Sequence, residues 1–143
     1  MTVKIGPKEK IFEAYSALAD ERVKLEEDKA RVSSSDGKKQ YTIRWKDNVY
    51  ASDDNASYWQ GYPGYPVIAV MMLKGELPYD EKIGACFKDV NWHELNNRHK
   101  RNYAEAVKKV IEQRQLNEEV IMAEADKVYE QLKRADIVIK RKL

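Results

Sequence analysis

The apolar positions in the first quarter of the chain predict a short strand and then one long helix. Thr2–Ile5 reads as a strand, and Pro7 suits the first turn of the helix that follows it. Apolar residues then recur at helical spacing as far as Leu25. These residues are Ile11, Tyr15, Leu18 and Leu25. We therefore expect a single helix from Pro7 to about Val32, with Ser33–Gly37 as the loop after it.

Residues 40–52 change to a period of two, which predicts a β-hairpin. The side chains of Tyr41, Ile43 and Trp45 alternate with polar ones, as in a strand with one buried face. The Asp-Asn pair at 47–48 suits a two-residue turn, because Asn tolerates the left-handed conformation. This register places Trp45 opposite Tyr50 as an aromatic cross-strand pair.

The most apolar run of the chain follows, at Val67–Leu73. It is apolar on every side, so we expect a central, fully buried helix from Val67 to Lys74 that ends at Gly75. Asp80 is a good first cap for a second short helix, which we expect to reach Phe87.

The chain contains no glycine or proline after Gly84, and two apolar stripes share nearly one helical face. The first stripe is Trp92, Leu95, His99, Tyr103, Ala106 and Val110, and the second is Ile121, Ala125, Val128, Leu132 and Ala135. One helix over both would be about 66 Å long, which is more than a globule of this size can cover. Because polar residues separate the stripes and Asn117 is a good helix cap, we favour two helices with a break at Asn117. A last strand is expected at Ile137–Ile139.

These elements predict an α+β fold in a single domain, residues 1–143. A small, mostly antiparallel sheet, made of the N-terminal strand, the hairpin 40–52 and the C-terminal strand, packs against helices, with long C-terminal helices. The 143 residues are 43% hydrophobic and 35% charged, which gives enough apolar surface for a core and a heavily charged exterior.

Composition predicts a soluble, cytoplasmic protein without a membrane partner. Cys86 is the one cysteine, so no intrachain disulfide is possible. The N-terminal residues lack the apolar core of a signal peptide. The longest apolar run, seven residues, is far shorter than a membrane span.

The strongest candidate for a binding site is the aromatic loop, which we define as residues 57–66. It contains a tandem Gly-Tyr-Pro and leads directly into the apolar run. Its large aromatic residues are Tyr58, Trp59, Tyr62 and Tyr65. Such loops on rigid scaffolds commonly bind ligands or partners, although the same residues also suit a packed Ω-type loop that joins the buried helix to the sheet. His99, in the middle of an apolar stripe, is expected to be a buried neutral histidine with hydrogen-bond partners; the alternative is a titratable group that lines a pocket beneath this loop.

No familiar catalytic or metal-binding motif is present in the sequence. His93 and His99 are six residues apart, which turns them about 120° from one another on a helix and excludes the zinc-protease arrangement. Nothing around Cys86 activates its thiol, so a small core residue is expected there. Asp53 and Asp54 are expected to cap a turn. We therefore predict no metal and no cofactor, and we favour a non-enzymatic role.

The basic residues of the predicted helix 98–114 are the feature that a nucleic-acid contact would use. They are Arg98, Lys100, Arg101, Lys108, Lys109 and Arg114. They spread around the helix, and the net charge of the whole chain is only +2, so nucleic acid is an unfavoured partner. The hairpin aromatics could stack bases, but a face this apolar is more typical of a surface that packs on a helix.

Three functions follow, in order of preference. The first is a non-enzymatic cytoplasmic interaction module, a homodimer whose contacts are the aromatic loop and the C-terminal helices. Making Ile121, Val128 and Leu132 polar should dissociate that dimer. The second is a small-molecule-binding or enzymatic pocket between the aromatic loop and His99. The third is nucleic-acid binding through helix 98–114.

Overall fold

The computed structural model describes residues 4–143. Its strands are β1 (Val23–Leu25), β2 (Lys29–Ser33), β3 (Gln40–Lys46), β4 (Val49–Ser52) and β5 (Val138–Lys140). Its α-helices are α1 (Lys10–Ala19), α2 (Tyr65–Leu73), α3 (Glu81–Ala85), α4 (Trp92–Arg98), α5 (Tyr103–Gln113) and α6 (Glu118–Arg134). A π-helical turn, Ala56–Gln60, forms the first part of the aromatic loop.

The five strands form one sheet in the order β1-β2-β3-β4-β5. Neighbouring strands are antiparallel except for β4 and β5, which run parallel. A parallel pair requires a long crossover, and here the crossover carries all helices from α2 to α6. The predicted α+β fold with a mostly antiparallel sheet is therefore confirmed.

Helices α1 and α2 form the centre of the core. Pro66–Met72 of α2 is buried throughout, as the uniform apolar run predicts, and only Leu73 at its end is exposed. Ile11–Ala17 of α1 is also buried throughout, so two polar residues, Glu13 and Ser16, enter the interior with it. A buried polar side chain needs hydrogen-bond partners. The hydroxyl of Ser16 donates to a backbone carbonyl oxygen at 2.5 Å and accepts from an indole N–H at 2.7 Å.

The prediction of one helix from Pro7 to about Val32 is wrong. Helix α1 ends at Ala19, and Glu21 takes a left-handed conformation (φ 56°) that reverses the chain. The rest of the predicted helix is the antiparallel pair β1–β2, in which Val23 lies opposite Val32. The packing of Val23 and Val32 on the sheet favours strands over a helix here. The helical spacing of apolar residues continued only to Leu25, which is 45% exposed.

The strand predicted at Thr2–Ile5 lies partly outside the residues that the structure describes. Thr2 and Val3 lie outside the described residues, and Lys4 and Ile5 belong to no strand. The sheet edge expected from this segment is instead supplied by β1.

The hairpin of β3 and β4 has the predicted register. Trp45 lies opposite Tyr50, and their ring centroids are 6.2 Å apart. The left-handed residue of the turn is Asp47, with φ 55°, and not Asn48 as the sequence suggested. The C-terminal strand also joins this hairpin, since β5 pairs with β4.

The C-terminal part of the chain contains three helices where two were predicted. The break at Asn117 is confirmed, because its side chain accepts a hydrogen bond from the backbone N–H of Val120 and caps α6. A second break, between α4 and α5, was not predicted. It arises where Lys100 and Arg101 both take positive φ, and the Asn102 side chain then caps α5.

Helix α6 turns its apolar residues toward the chain's own core. Ile121, Val128 and Leu132 are all at most 2% exposed. Making them polar would therefore disrupt the protomer itself, so that substitution does not report on a dimer. Among the described residues, no helix combines the length and the apolar character needed to cross a membrane.

Candidate functional site

A cavity of about 740 Å³ lies between α1, the aromatic loop, the connection from β2 to β3 and the segment from α4 to the start of α5. Its volume is that of a typical small-molecule site. The aromatic residues that line it are Tyr41, Trp59, Tyr62, Tyr65, Trp92 and Tyr103. The cavity therefore offers several ring faces and edges to an occupant.

The aromatic loop is held in place by buried hydrogen bonds at its base. The carboxylate of Asp54 contacts the hydroxyl of Ser52 and accepts from the backbone N–H of Ser57 at 3.1 Å. The hydroxyl of Ser57 in turn accepts from the backbone N–H of Gly64 at 3.1 Å. A side chain at Gly64 would overlap the Asp54 carboxylate, so only glycine fits there. Asp54 thus caps this turn, as predicted, and fixes the cavity wall.

A group of charged side chains forms the part of the cavity next to α1. The Nζ of Lys10 lies 3.4 Å from Oε2 of Glu13, and both side chains are at least four-fifths buried. Lys10 also lies over the ring of Tyr103, at 4.6 Å from its centroid. Arg22 lines the same cavity and donates to the backbone oxygen of Ser33 at 2.5 Å. Its Nη2 atom is buried without a hydrogen-bond partner.

Burial raises the pKa of Glu13 above its usual range, against the opposing influence of Lys10, Arg22 and Asn96. For Lys10, burial alone would lower the pKa of the ammonium group, but the Glu13 carboxylate and the neighbouring tyrosines outweigh it. The pKa of Lys10 is therefore raised. The protonation state of Glu13 therefore depends on the charge of Lys10, and that of Lys10 on the charge of Glu13.

Two tyrosines beside this pair stay protonated at neutral pH. Burial raises the pKa of Tyr65, although Arg22 opposes the shift, and burial likewise raises the pKa of Tyr41. Their rings meet edge to face, with centroids 6.3 Å apart. Each phenol is therefore available to the cavity as a neutral hydrogen-bond donor.

The charges that line the cavity sum to a positive value. The four cations are Lys10, Arg22, Lys39 and Arg101, and the two anions are Glu13 and Asp36, so the formal sum is +4 − 2 = +2 with His93 neutral. Among residues 4–143, Lys39 and Arg101 form no ion pair. A site with this balance attracts anions.

The structure brings together three of the five residues predicted for the site. Trp59, Tyr62 and Tyr65 all line the cavity. Tyr58 lies behind Trp59, edge to face at 4.8 Å, and does not line it. Both rings are approached by the guanidinium group of Arg141, at 5.4 and 5.3 Å.

His99 does not line the cavity. It is the residue that ends α4, and its Nδ1 lies 3.9 Å from the carboxylate of Glu105. Its Nε2 is buried without a hydrogen-bond partner. The histidine that does reach the cavity is His93, whose ring nitrogen lies 3.3 Å from the side-chain nitrogen of Asn97.

The family model of Uncharacterised conserved protein UCP014422 matches residues 3–138 of this chain. The chain belongs to this family. The match includes every cavity-lining residue as well as the whole of the sheet except its last two residues. No curated protein and no solved structure matches the chain.

In this member of the family, the charged residues of the cavity were not predicted from the sequence. Glu13 falls inside a predicted amphipathic helix, where a polar residue is expected to face water. A usable signal is present, since Ile11–Ala19 contains only two polar residues, Glu13 and Ser16. A helix so apolar is buried on most sides, which obliges its few polar residues to find partners inside.

Other candidate chemistry lies away from the cavity. The thiol of Cys86 is within 3.3 Å of the backbone oxygen of Lys82, and Asp53 accepts from the backbone N–H of Thr42 at 2.9 Å. Within residues 4–143, no three His, Cys, Asp or Glu side chains lie close enough together to hold a metal ion.

Proposed function

We propose that the protein binds a small organic anion with a planar ring in the cavity beneath the aromatic loop. The observation that carries this proposal is the meeting of aromatic walls and a cationic lining in one cavity of about 740 Å³. Ligand sites typically combine an apolar surface with a few polar groups that fix orientation. The described residues supply both.

The positive lining supports an anionic ligand. Lys39 and Arg101 have no carboxylate partner of their own among the described residues and would pair with an entering carboxylate or phosphate. Hydrogen bonds between charged groups are the stronger kind. Glu13 lines the same cavity. Its carboxylate would repel a second negative group, so the ligand should carry its negative charge at one end only.

The aromatic lining supports a planar ring. Trp59 is 64% exposed, so its indole is free to cover an occupant, whereas Tyr65 is held by Tyr41 and offers a fixed ring edge. Rings prefer offset or edge-to-face contacts of this kind. Glu13 and Lys10 line the same cavity and would be the acid and base groups of an enzymatic site.

The test is a fluorescence titration against aromatic carboxylates and nucleoside monophosphates, preceded by native mass spectrometry of the freshly purified protein. We expect a retained mass, or a saturable change in tryptophan emission with at least one of these probes. Arg101→Gln should weaken that affinity about tenfold, because it removes one charged contact. Lys108→Gln, an equal charge change on the exposed side of α5, is the matched control and should bind as the wild type does.

The proposal fails if the purified protein retains nothing and no probe changes the fluorescence. It also fails if Lys108→Gln weakens binding as much as Arg101→Gln, because the effect would then come from overall charge and not from the cavity.

A second candidate is a cytoplasmic homodimer that acts as an interaction module. The exposed Trp59, with Arg141 stacked against it, supports this candidate, because Trp and Arg are enriched at the centres of protein interfaces. Trp59→Ala distinguishes the two: it should lower the sedimentation coefficient of a dimer that uses the loop. If the protein instead sediments as a monomer with and without Trp59, the dimer is rejected and the cavity remains.

A further inference from the structure

One face of the sheet carries no helix and is strongly basic. The strand register gives this face twelve residues. They are Lys24, Lys29, Arg31, Ser33, Gln40, Thr42, Arg44, Lys46, Val49, Ala51, Val138 and Lys140. Six of the twelve are Lys or Arg, and none is Asp or Glu. We call this set the open face.

The pairing of charges on the open face opposes folding stability. Lys24 lies directly opposite Arg31, and Lys29 lies directly opposite Arg44. Like charges at directly opposed positions of an antiparallel pair destabilise it. A sequence shaped by stability alone would place carboxylates there, so the arrangement indicates that the cations serve another purpose.

Only part of this charge is neutralised within the chain. Glu26, in the turn between β1 and β2, lies 3.7 Å from Lys29 and 3.8 Å from Arg31. Among residues 4–143, the other four cations of the face form no ion pair. A shallow groove of about 430 Å³ adjoins this surface, and its lining includes Arg44, Arg141 and Lys142 together with one acidic residue, Asp53.

The cations are close enough together to contact several phosphates of one polyanion. Opposed residues on neighbouring strands lie about 5 Å apart, and residues two apart on one strand lie about 7 Å apart. A duplex carries one phosphate about every 3.4 Å along each strand. Lys29, Arg44 and Lys140 extend across strands β2 to β5 in one row.

We propose that the open face binds the phosphodiester backbone of a nucleic-acid duplex without reading its sequence. The hairpin aromatics are absent from this face, since Tyr41, Trp45 and Tyr50 pack toward the helices. The open face therefore has no aromatic ring on which an unpaired base would stack. The face also lacks the row of exposed apolar side chains by which proteins insert into a lipid surface. This binding is independent of the cavity, which lies on the helix side of the sheet.

Fluorescence anisotropy with labelled 20-bp DNA and RNA duplexes tests the proposal. We expect binding of at least one duplex at 50 mM salt, weakened on the order of 100-fold at 200 mM if about four phosphates are contacted. The double variant Arg44→Glu/Lys140→Glu should lose at least tenfold in affinity. The matched control is Lys108→Glu/Lys109→Glu, which makes the same charge change on α5. These two lysines belong to the basic segment 98–114, the feature that a nucleic-acid contact was expected to use.

Thermal unfolding supplies a second readout that needs no ligand. Arg44→Glu places a carboxylate opposite Lys29, so its melting temperature should rise while its affinity for the duplex falls. Arg44→Gln/Lys140→Gln, which cannot introduce repulsion, should lose affinity in the same direction.

Three results would overturn the proposal. The first is no binding of either duplex at 50 mM salt. The second is an equal or larger loss in the α5 control, which would place the contact on the helix. The third is binding to phosphatidylserine-containing vesicles with no binding to either duplex, which would make the partner a membrane surface.

Discussion

Glu13 is the residue on which the chemistry of the cavity depends. It is 8% exposed, lies on the most buried stretch of α1 and pairs with Lys10 at 3.4 Å. Burying a carboxylate favours its neutral form, which is why burial raises the pKa of Glu13. A ligand that brings its own negative charge would push that pKa further in the same direction. Ligand binding and proton uptake at Glu13 are therefore expected to be linked.

Glu13→Gln should change how stability depends on pH. The folded protein holds the Glu13 proton more tightly than the unfolded chain does, so the free energy of unfolding falls as the pH rises from about 4.5, its ordinary pKa, through the raised folded value. Gln cannot ionise, so the variant lacks this loss. Chemical denaturation from pH 4 to 7 should show the variant gaining relative to the wild type as the pH rises.

The informative quantity in that experiment is the slope of the free energy of unfolding against pH. The absolute stability is not informative, because Gln also removes the ion-pair partner of Lys10. Parallel curves for the two proteins would mean that Glu13 has an ordinary pKa in the folded state.

At the scale of elements, the local sequence pattern predicted the type of an individual helix or strand. It missed the chain reversals that contain no glycine or proline. The hairpin was predictable because a period of two and an Asp-Asn turn agree at Trp45 and Tyr50. The β1–β2 pair was not, because Glu21 supplies its left-handed turn and the helical spacing continues across it. The break after Arg98 has the same cause, since Lys100 and Arg101 take positive φ without a sequence signal.

The asparagine caps of α5 and α6 give a matched pair of tests. Asn102 and Asn117 each accept one backbone N–H at 3.2 Å, so replacing either with Ala should lower the free energy of unfolding by about 1 kcal/mol. Asn102 stands between the cavity residues Arg101 and Tyr103, whereas Asn117 is remote in sequence from them. Asn102→Ala should therefore also weaken binding of an anionic probe in the fluorescence titration.

Equal binding by the two variants would mean that the α4–α5 connection does not position the cavity wall. Equal and negligible losses of stability would mean that neither asparagine caps its helix in solution.

At the scale of the whole molecule, the sheet separates two surfaces of different character. Its helix side contributes Tyr41 to the cavity, and its other side carries the basic open face. The aromatic wall was predictable because Trp59, Tyr62 and Tyr65 lie close together in one loop of the sequence. The charged part of the cavity was not, because Glu13 and Arg22 come together there only when helix α1 packs against the β1–β2 segment.

The position of α6 decides what a core substitution can reveal. Leu132 is 2% exposed in the protomer, so Leu132→Ala should lower the free energy of unfolding by about 2–5 kcal/mol through lost burial and a residual cavity. Val120, on the outer side of the same helix, is 52% exposed, and Val120→Ser should change stability by less than about 0.5 kcal/mol. Denaturant unfolding and sedimentation velocity of both variants provide the measurement. A small loss for Leu132→Ala would contradict the packing of α6, whereas a lower sedimentation coefficient for Val120→Ser would place a dimer contact on its outer side.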